Sequence, residues 1–221
     1  MSARPASPNF GERRAGARPC LIVIHYTAMA SCAEARDRLC DPDAEVSAHY
    51  LISEGGTVEA LVDERLRAWH AGAGEWGGIT DVNSHSIGIE LANPGNTPFP
   101  EAQMAALEAL LAGIMARWAI GPESVIAHSD MAPTRKSDPG PKFDWRRLAR
   151  QGFAVWPEAE GDDEADFGAS ARAFGYPDAP AEALLTAFRL RFRPWAQGAE
   201  VSLDRSQAAW LASQRSKHNT G

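Results

Sequence analysis

Short apolar runs separated by polar loops recur between residues 20 and 130, and they predict strands. Residues 21–24 (LIVI) form an uninterrupted apolar run rich in β-branched side chains, which is typical of a strand buried on both faces. Residues 86–91 place Ile87, Ile89 and Leu91 on one side of a second strand, and residues 125–127 predict a third. Residues 48–52 and 57–61 flank a Glu-Gly-Gly turn and predict a hairpin.

One helix is clearly indicated between Pro100 and Gly121. Its apolar positions recur at spacings of three and four: Met104, Leu107, Leu110, Leu111, Ile114, Met115 and Trp118. Residues 71–83, which contain several Gly, Asn and Asp, predict a surface loop. Strands interleaved with helices indicate an α/β domain over residues 19–156, with a mixed central β-sheet flanked by helices.

The two ends of the chain differ from this pattern. Residues 1–18 predict a flexible N-terminal arm, and residues 157–166, which carry acidic but no basic side chains, predict a solvated acidic linker. Helices predicted at 167–174, 182–192 and 205–213 form a small all-α C-terminal unit over residues 167–214.

Charge and cysteine content narrow the class of protein. The 221 residues carry a formal net charge of −7 without a clustered basic surface, which excludes a typical nucleic-acid-binding domain. Three cysteines without C-x-x-C spacing argue against a disulfide framework and a thiolate metal site. Because no signal peptide, lipobox or membrane span is recognisable, we expect a cytoplasmic protein, or a periplasmic one if the start is truncated. We also expect a monomer.

Two histidines follow predicted buried strands directly and are candidate metal ligands. His25 follows the run 21–24, His128 follows 125–127, and Asp138 lies in the segment 135–141 (RKSDPGP). Two imidazoles and one carboxylate suit a catalytic zinc ion, which needs three protein ligands and one open position. Taken alone, these residues also fit two hydrogen-bonded histidines and an ordinary Asp-Pro-Gly turn.

Six short segments, taken in their order along the chain, resemble the type-2 N-acetylmuramoyl-L-alanine amidase family, which includes phage amidase lysozymes and animal peptidoglycan recognition proteins. The resemblance covers about residues 19–156. The segments are 24–27 (IHYT), 47–50 (SAHY), 69–72 (WHAG), 86–90 (SIGIE), 127–130 (AHSD) and 135–141 (RKSDPGP).

The resemblance implies a fold, a cofactor and a reaction. It implies one zinc ion bound by His25, His128 and Asp138, with Glu90 and Lys136 as catalytic groups. It also implies hydrolysis of the amide between the lactyl group of (anhydro)muramic acid and L-alanine, in peptidoglycan or its fragments, for cell-wall recycling or remodelling. The alternatives are a Glu90 that only pairs with Lys136, a solvated Lys136, and a module that recognises muropeptides without cutting them.

Four further residues are candidates for substrate binding. Tyr50 lies within the predicted strand 48–52 and is either a core tyrosine or, as the resemblance to some members of the family implies, a phenol near the reaction. His49 should face the other way along this strand and pack. His70 is expected in the substrate groove or in a hydrogen bond, and Trp76 either stacks on substrate or packs. Asn93, just after the 86–91 strand, is a candidate for binding the stem peptide.

The C-terminal unit carries a second, shorter resemblance. Residues 174–176 (FGY) and 185–194 (LTAFRLRFRP) are similar to the helical peptidoglycan-binding module attached to some of these amidases. The alternative is a helical bundle that only covers the main domain.

Overall fold

The computed structural model of the protein describes residues 6–158 and 161–218, with side chains described as far as Arg215. The strands are β1 (Phe10–Gly11), β2 (Leu21–Tyr26), β3 (Tyr50–Ile52), β4 (Val58–Ala60), β5 (Arg67–Ala68), β6 (Ser86–Leu91) and β7 (Val125–Ala127). The helices are α1 (Cys32–Cys40), α2 (Val82–His85), α3 (Glu101–Trp118), α4 (His128–Met131), α5 (Trp145–Arg150), α6 (Phe167–Phe174), α7 (Ala181–Phe192) and α8 (Ser202–His218).

A five-stranded mixed sheet lies at the centre of the main domain, in the order β4-β3-β6-β2-β7. Strand β2 pairs in parallel with β6 and β7, β6 pairs in parallel with β3, and the hairpin partner β4 is antiparallel. The predicted α/β class with a mixed sheet flanked by helices is confirmed. The parallel pairing brings the carboxyl ends of β2, β6 and β7 to one edge.

The two faces of the sheet pack against different helices, because successive side chains along each strand point to opposite faces. Ile22, Ile24 and Ile89 belong to a core with the apolar stripe of α3 and with Trp145 of α5. On the opposite face, Leu51 packs with α1, while Val23 packs with the C-terminal helices. This second face also carries His25 and Glu90, which lie side by side in register.

The N-terminal segment is not a separate arm, which corrects the predicted boundary at residue 19. From residue 6 onward it packs on the main domain, with β1 antiparallel to β5; residues 1–5 lie outside the described part. Asn9 donates to the carbonyls of Asp41 and Val46, and the guanidinium of Arg13 donates to carbonyls that include those of Glu64 and Ser84. Burying the Arg13 guanidinium without these acceptors would cost free energy, so these hydrogen bonds hold the segment against the main domain.

The three helices of the C-terminal unit share a core with the main domain. Phe174, Phe188 and Phe192 pack in one cluster with Val23 and Ile126 of the sheet. Of the predicted acidic linker, residues 159 and 160 lie outside the described part, and Glu158, Asp162 and Glu164 are exposed. Within the described residues, no helix is both long and apolar enough to span a bilayer.

Candidate metal centre and cleft

The three predicted metal ligands meet at the carboxyl edge of the sheet. His25 ends the buried part of β2, His128 begins α4 directly after β7, and Asp138 lies in the loop that follows α4. The two Nδ1 atoms are 2.9 Å apart, and each is 3.0 Å from Asp138 Oδ2. Two imidazole nitrogens and one carboxylate oxygen in so small a triangle fit a single metal ion, and this donor set suits zinc.

Each imidazole is oriented by a contact through its other nitrogen. His128 Nε2 lies 3.0 Å from the carbonyl oxygen of Ala71, and His25 Nε2 lies 3.0 Å from His70 Nδ1. Contacts of this kind hold ligating histidines in position and tune their affinity for the metal. The loop that carries Asp138 is tied to α4, because the backbone N–H of Ser129 donates to the Asp138 carbonyl.

The charges at the triad fit a cation. Burial lowers the pKa of His25 to about 4, helped by the nearby His128, so the ring is neutral at pH 7. Burial also keeps the pKa of His70 well below its ordinary value. For Asp138, burial alone would raise the pKa, but its close contacts with His128 and His25 outweigh burial and lower the pKa. A neutral His25 ring and the Asp138 carboxylate are therefore available as ligands.

Glu90 lies next to the triad on β6. Its Oε2 atom is buried and meets no hydrogen-bond donor within the described residues. Burial raises the pKa of Glu90 to about 8, the charge of Asp138 adds to this, and Lys136 opposes it. No ion pair joins Glu90 to Lys136 within the described part of the chain, so the contact pattern does not support a purely structural pair. An unpartnered carboxyl group of raised pKa in a cleft is a candidate acid–base catalyst.

The triad forms the floor of a cleft of about 430 Å³. Glu90, Lys136 and His70 also line it, and Lys136 is exposed at its rim. The structure thus brings together six of the nine residues that the sequence analysis singled out for the site: His25, His70, Glu90, Lys136, His128 and Asp138.

Tyr50 lies on the other face of the sheet, which corrects its predicted place at the substrate. It pairs in register with Ile89 and packs against the α3 core, whereas Glu90 is in register with Leu51. Its hydroxyl donates to Glu64 Oε1 at 2.5 Å, and burial together with Glu64 raises the pKa of the phenol. The alternation along β3 therefore makes Tyr50 a packing residue.

Trp76 and Asn93 also lie outside the cleft. Trp76 is buried, and its ring meets Phe174 and Tyr176 of the C-terminal unit edge-on, so it is an anchor for that unit. The side chain of Asn93 is 2 % exposed and bonds within its own loop, to the backbone of Gly95, Thr97 and Pro98. His49 is buried, as expected, and accepts from the Gly88 N–H at Nδ1.

Several residues that line the cleft did not stand out in the sequence. Met29, Arg38 and Leu39 belong to α1 or its approach. Trp69 and Arg135 also line the cleft; both lie in motif segments, but neither was singled out as a site residue. Helix α1 has a weak apolar stripe, but its start is signalled by Ser31 followed by Glu34, and the Ser31 hydroxyl does accept from the Glu34 N–H. That signal identifies the helix but does not place it at the cleft.

The sequence matches the profile of the N-acetylmuramoyl-L-alanine amidase family over residues 15–141. It is similar to the N-acetylmuramoyl-L-alanine amidase AmiD of Escherichia coli, with 43% identity over 159 residues, which are 63% of this chain and 55% of AmiD. The match thus spans about half the length of that relative. The 1,6-anhydro-N-acetylmuramyl-L-alanine amidase AmpD of Enterobacter cloacae is 35% identical over 159 residues, which are 64% of this chain and 85% of AmpD.

Solved structures resemble nearly the whole chain, including the C-terminal unit. AmiD from E. coli, in complex with anhydro-N-acetylmuramic acid-L-Ala-D-gamma-Glu-L-Lys, superposes with a TM-score of 0.78 at 33% identity, over 96% of this chain and 93% of AmiD. AmpDh3 from Pseudomonas aeruginosa gives a TM-score of 0.79 at 30% identity, over 99% of this chain and 100% of the other. The chain therefore belongs to the N-acetylmuramoyl-L-alanine amidase family.

Proposed function

We propose that this chain is a zinc-dependent amidase that hydrolyses the amide between the lactyl group of muramic acid and L-alanine. The observation that supports this most directly is the His25–His128–Asp138 triangle beside an unpartnered Glu90, in one open cleft. The relatives' names and the ligand in the AmiD complex favour anhydro-muropeptides as substrates. The cytoplasmic location and the monomeric state stay predictions from the sequence.

His25, His128 and Asp138 would hold the zinc ion, which when bound would supply Lewis-acid chemistry by polarising the scissile carbonyl and making water a stronger nucleophile near neutral pH. Glu90 accepts the proton of the attacking water and delivers it to the departing alanine nitrogen. The Oε2 atom of Glu90 has no hydrogen-bond partner among the described residues, so this carboxylate is free to take a proton and return it. Lys136, at the rim, stabilises the negative charge that develops on the carbonyl oxygen.

The C-terminal unit has a structural role in this proposal. It covers one face of the sheet and meets α4, the helix that begins with the ligand His128. The Tyr176 hydroxyl donates to Asp130 Oδ1 at 2.7 Å, and Arg191 Nη1 donates to Asp130 Oδ2 at 2.6 Å. Binding of cell-wall polymer by this unit stays a prediction from the sequence.

Product analysis by mass spectrometry tests the activity. Zinc-loaded protein is incubated with anhydro-muropeptides and, separately, with whole sacculi, and each reaction is repeated with a chelator and again after zinc is restored. We expect free stem peptide that disappears with chelator and returns with zinc. We also expect His25→Ala, His128→Ala and Asp138→Ala to lose bound zinc.

The matched variants separate catalysis from binding. Glu90→Gln should retain zinc and muropeptide binding but lose turnover by about 100-fold or more. Glu59→Gln, which changes a carboxylate on β4 paired with Arg36, is the control and should cut at the wild-type rate. If the zinc-loaded wild type binds muropeptides but releases no stem peptide from either substrate, the protein is a recognition module and the proposal is wrong.

A further inference from the structure

His25 can bind a metal through Nδ1 only if its ring hydrogen is on Nε2. A neutral imidazole carries one hydrogen, so one nitrogen donates and the other offers a lone pair. His25 Nδ1 faces the triad, and its Nε2 faces His70 Nδ1 at 3.0 Å. The tautomer of His70 therefore decides whether His25 Nδ1 is free to act as a ligand.

The tautomer of His70 follows from its other neighbour, Ser86. The Ser86 hydroxyl lies 2.6 Å from the carbonyl oxygen of Val82, which can only accept, so the hydroxyl hydrogen is already donated there. His70 Nε2 lies 3.1 Å from the same hydroxyl oxygen and must therefore be the donor in that contact. With its hydrogen on Nε2, neutral His70 presents a bare Nδ1, which accepts from His25 Nε2–H.

The backbone holds His70 where this chain of bonds requires it. Asn83 Oδ1 accepts from the N–H groups of both His70 and Ala71, at 3.0 and 2.8 Å. The ring lies against Gly88 of β6, where a Cβ atom would come within 2.4 Å of the His70 ring. Any larger residue at position 88 would push the ring away from Ser86.

The same segment also serves the second histidine ligand. The Ala71 carbonyl can only accept, so His128 Nε2 donates to it and His128 Nδ1 keeps its lone pair. Both imidazole ligands thus depend on residues 70 and 71, which Asn83 fixes. This arrangement was not evident from the W-H-A-G segment, which indicated only a groove or hydrogen-bonding residue.

We propose that His70 is a positioning residue that sets the tautomer of His25, through a relay that runs from the Val82 carbonyl by way of the Ser86 hydroxyl. The inference rests on the zinc site of the proposed function. Each group donates one hydrogen to its neighbour on the Val82 side: His25 Nε2–H to His70 Nδ1, His70 Nε2–H to the Ser86 hydroxyl oxygen, and the Ser86 hydroxyl to the Val82 carbonyl. The remaining lone pair, on His25 Nδ1, therefore faces the triad. Partners of ligating histidines typically change metal affinity 10–100-fold when they are removed.

Nuclear magnetic resonance of the zinc-loaded wild type tests the relay directly. We expect the ring hydrogens of His25 and His70 on Nε2 in both residues. We also expect a nitrogen–nitrogen coupling across the hydrogen bond from His25 Nε2 to His70 Nδ1. A His70 ring with its hydrogen on Nδ1 would overturn the proposal, whatever the activity of the enzyme.

Zinc affinity, measured by competition with a chromophoric chelator, tests the consequence. His70→Leu and Ser86→Ala should each weaken zinc binding by about 10- to 100-fold. His70→Asn keeps an acceptor near the position of Nδ1 and should recover most of the affinity. Ser84→Ala is the matched control, since Ser84 is a buried serine of α2 whose hydroxyl donates to Asp81 instead.

The results separate the two proposals. If the wild type binds zinc and His70→Leu binds it equally well, the relay is wrong and the zinc site stands. If the wild type binds no zinc, the site itself is wrong. Should His70→Leu fail to fold, Ser86→Ala and the wild-type resonance measurement decide the question without it.

Discussion

The ion pair between Arg191 and Asp130 joins the C-terminal unit to the helix of a metal ligand, and removing it should be costly. Both side chains are fully buried, with 0% exposure. Arg191 also donates to the Val125 carbonyl at 3.0 Å, and its guanidinium lies 4.4 Å from the ring centre of Trp145. Asp130 in turn accepts from the Ala127 N–H at 2.9 Å, at the start of α4.

The size of the effect follows from the charge that each variant leaves behind. Arg191→Met leaves the buried Asp130 carboxylate without its ion-pair partner, and Asp130→Asn does the same to the buried Arg191 guanidinium. Each variant should therefore lower the free energy of unfolding by about 3–5 kcal/mol. The double variant leaves no unpaired charge at this pair, and the Met side chain retains much of the contact with Trp145. We therefore expect its cost to fall well below the sum, with a coupling of about 2 kcal/mol or more.

Urea unfolding of the four proteins at saturating zinc measures this double-mutant cycle, and chelator competition reports their zinc affinity. Because Asp130 caps the helix that begins at His128, the single variants should also bind zinc more weakly. Single costs that add to within about 0.5 kcal/mol would refute the coupling. Unchanged zinc affinity would refute the link between the C-terminal unit and the metal site.

Two further predictions concern residues of the sheet. In metal-free protein the pKa of Glu90 is raised from 4.5 to about 8, so between these pH values the folded state holds a proton that the unfolded state has lost. The free energy of unfolding of the wild type should therefore fall, relative to that of Glu90→Gln, as pH rises through this range, by at most about 1.4 kcal/mol per pH unit. Free energies of unfolding that change in parallel with pH in the two proteins would contradict this. Tyr50→Phe should keep the wild-type kcat and KM, because the Tyr50 hydroxyl donates to Glu64 on the face of the sheet opposite the cleft. It should lower the free energy of unfolding by about 1 kcal/mol. A tenfold loss of kcat would show that Tyr50 takes part in the reaction.

The failed predictions share a physical origin. Tyr50, Trp76 and Asn93 each lie near a segment of the cleft in sequence, yet their side chains point elsewhere. A single position along a strand reverses the direction of a side chain, so Tyr50 faces α3 whereas its strand neighbour Leu51 shares the face of Glu90. A position in a loop says even less about the direction of its side chain. Trp76 points into the protein because its ring packs against Phe174 and Tyr176 of the C-terminal unit.

By itself, the sequence determined those features that a local pattern of residues specifies. The run 21–24, the alternation in 86–91 and the stripe of the 101–118 helix predict which elements form. Two apolar runs, each followed directly by a histidine, predict where the ligands emerge. The order of the motif segments then indicated the family. Only the tertiary structure decided which polar atoms meet. The Val82–Ser86–His70–His25 chain and the Asp130–Arg191 pair join residues whose separations follow no sequence period, because they depend on how strands, loops and the C-terminal helices pack.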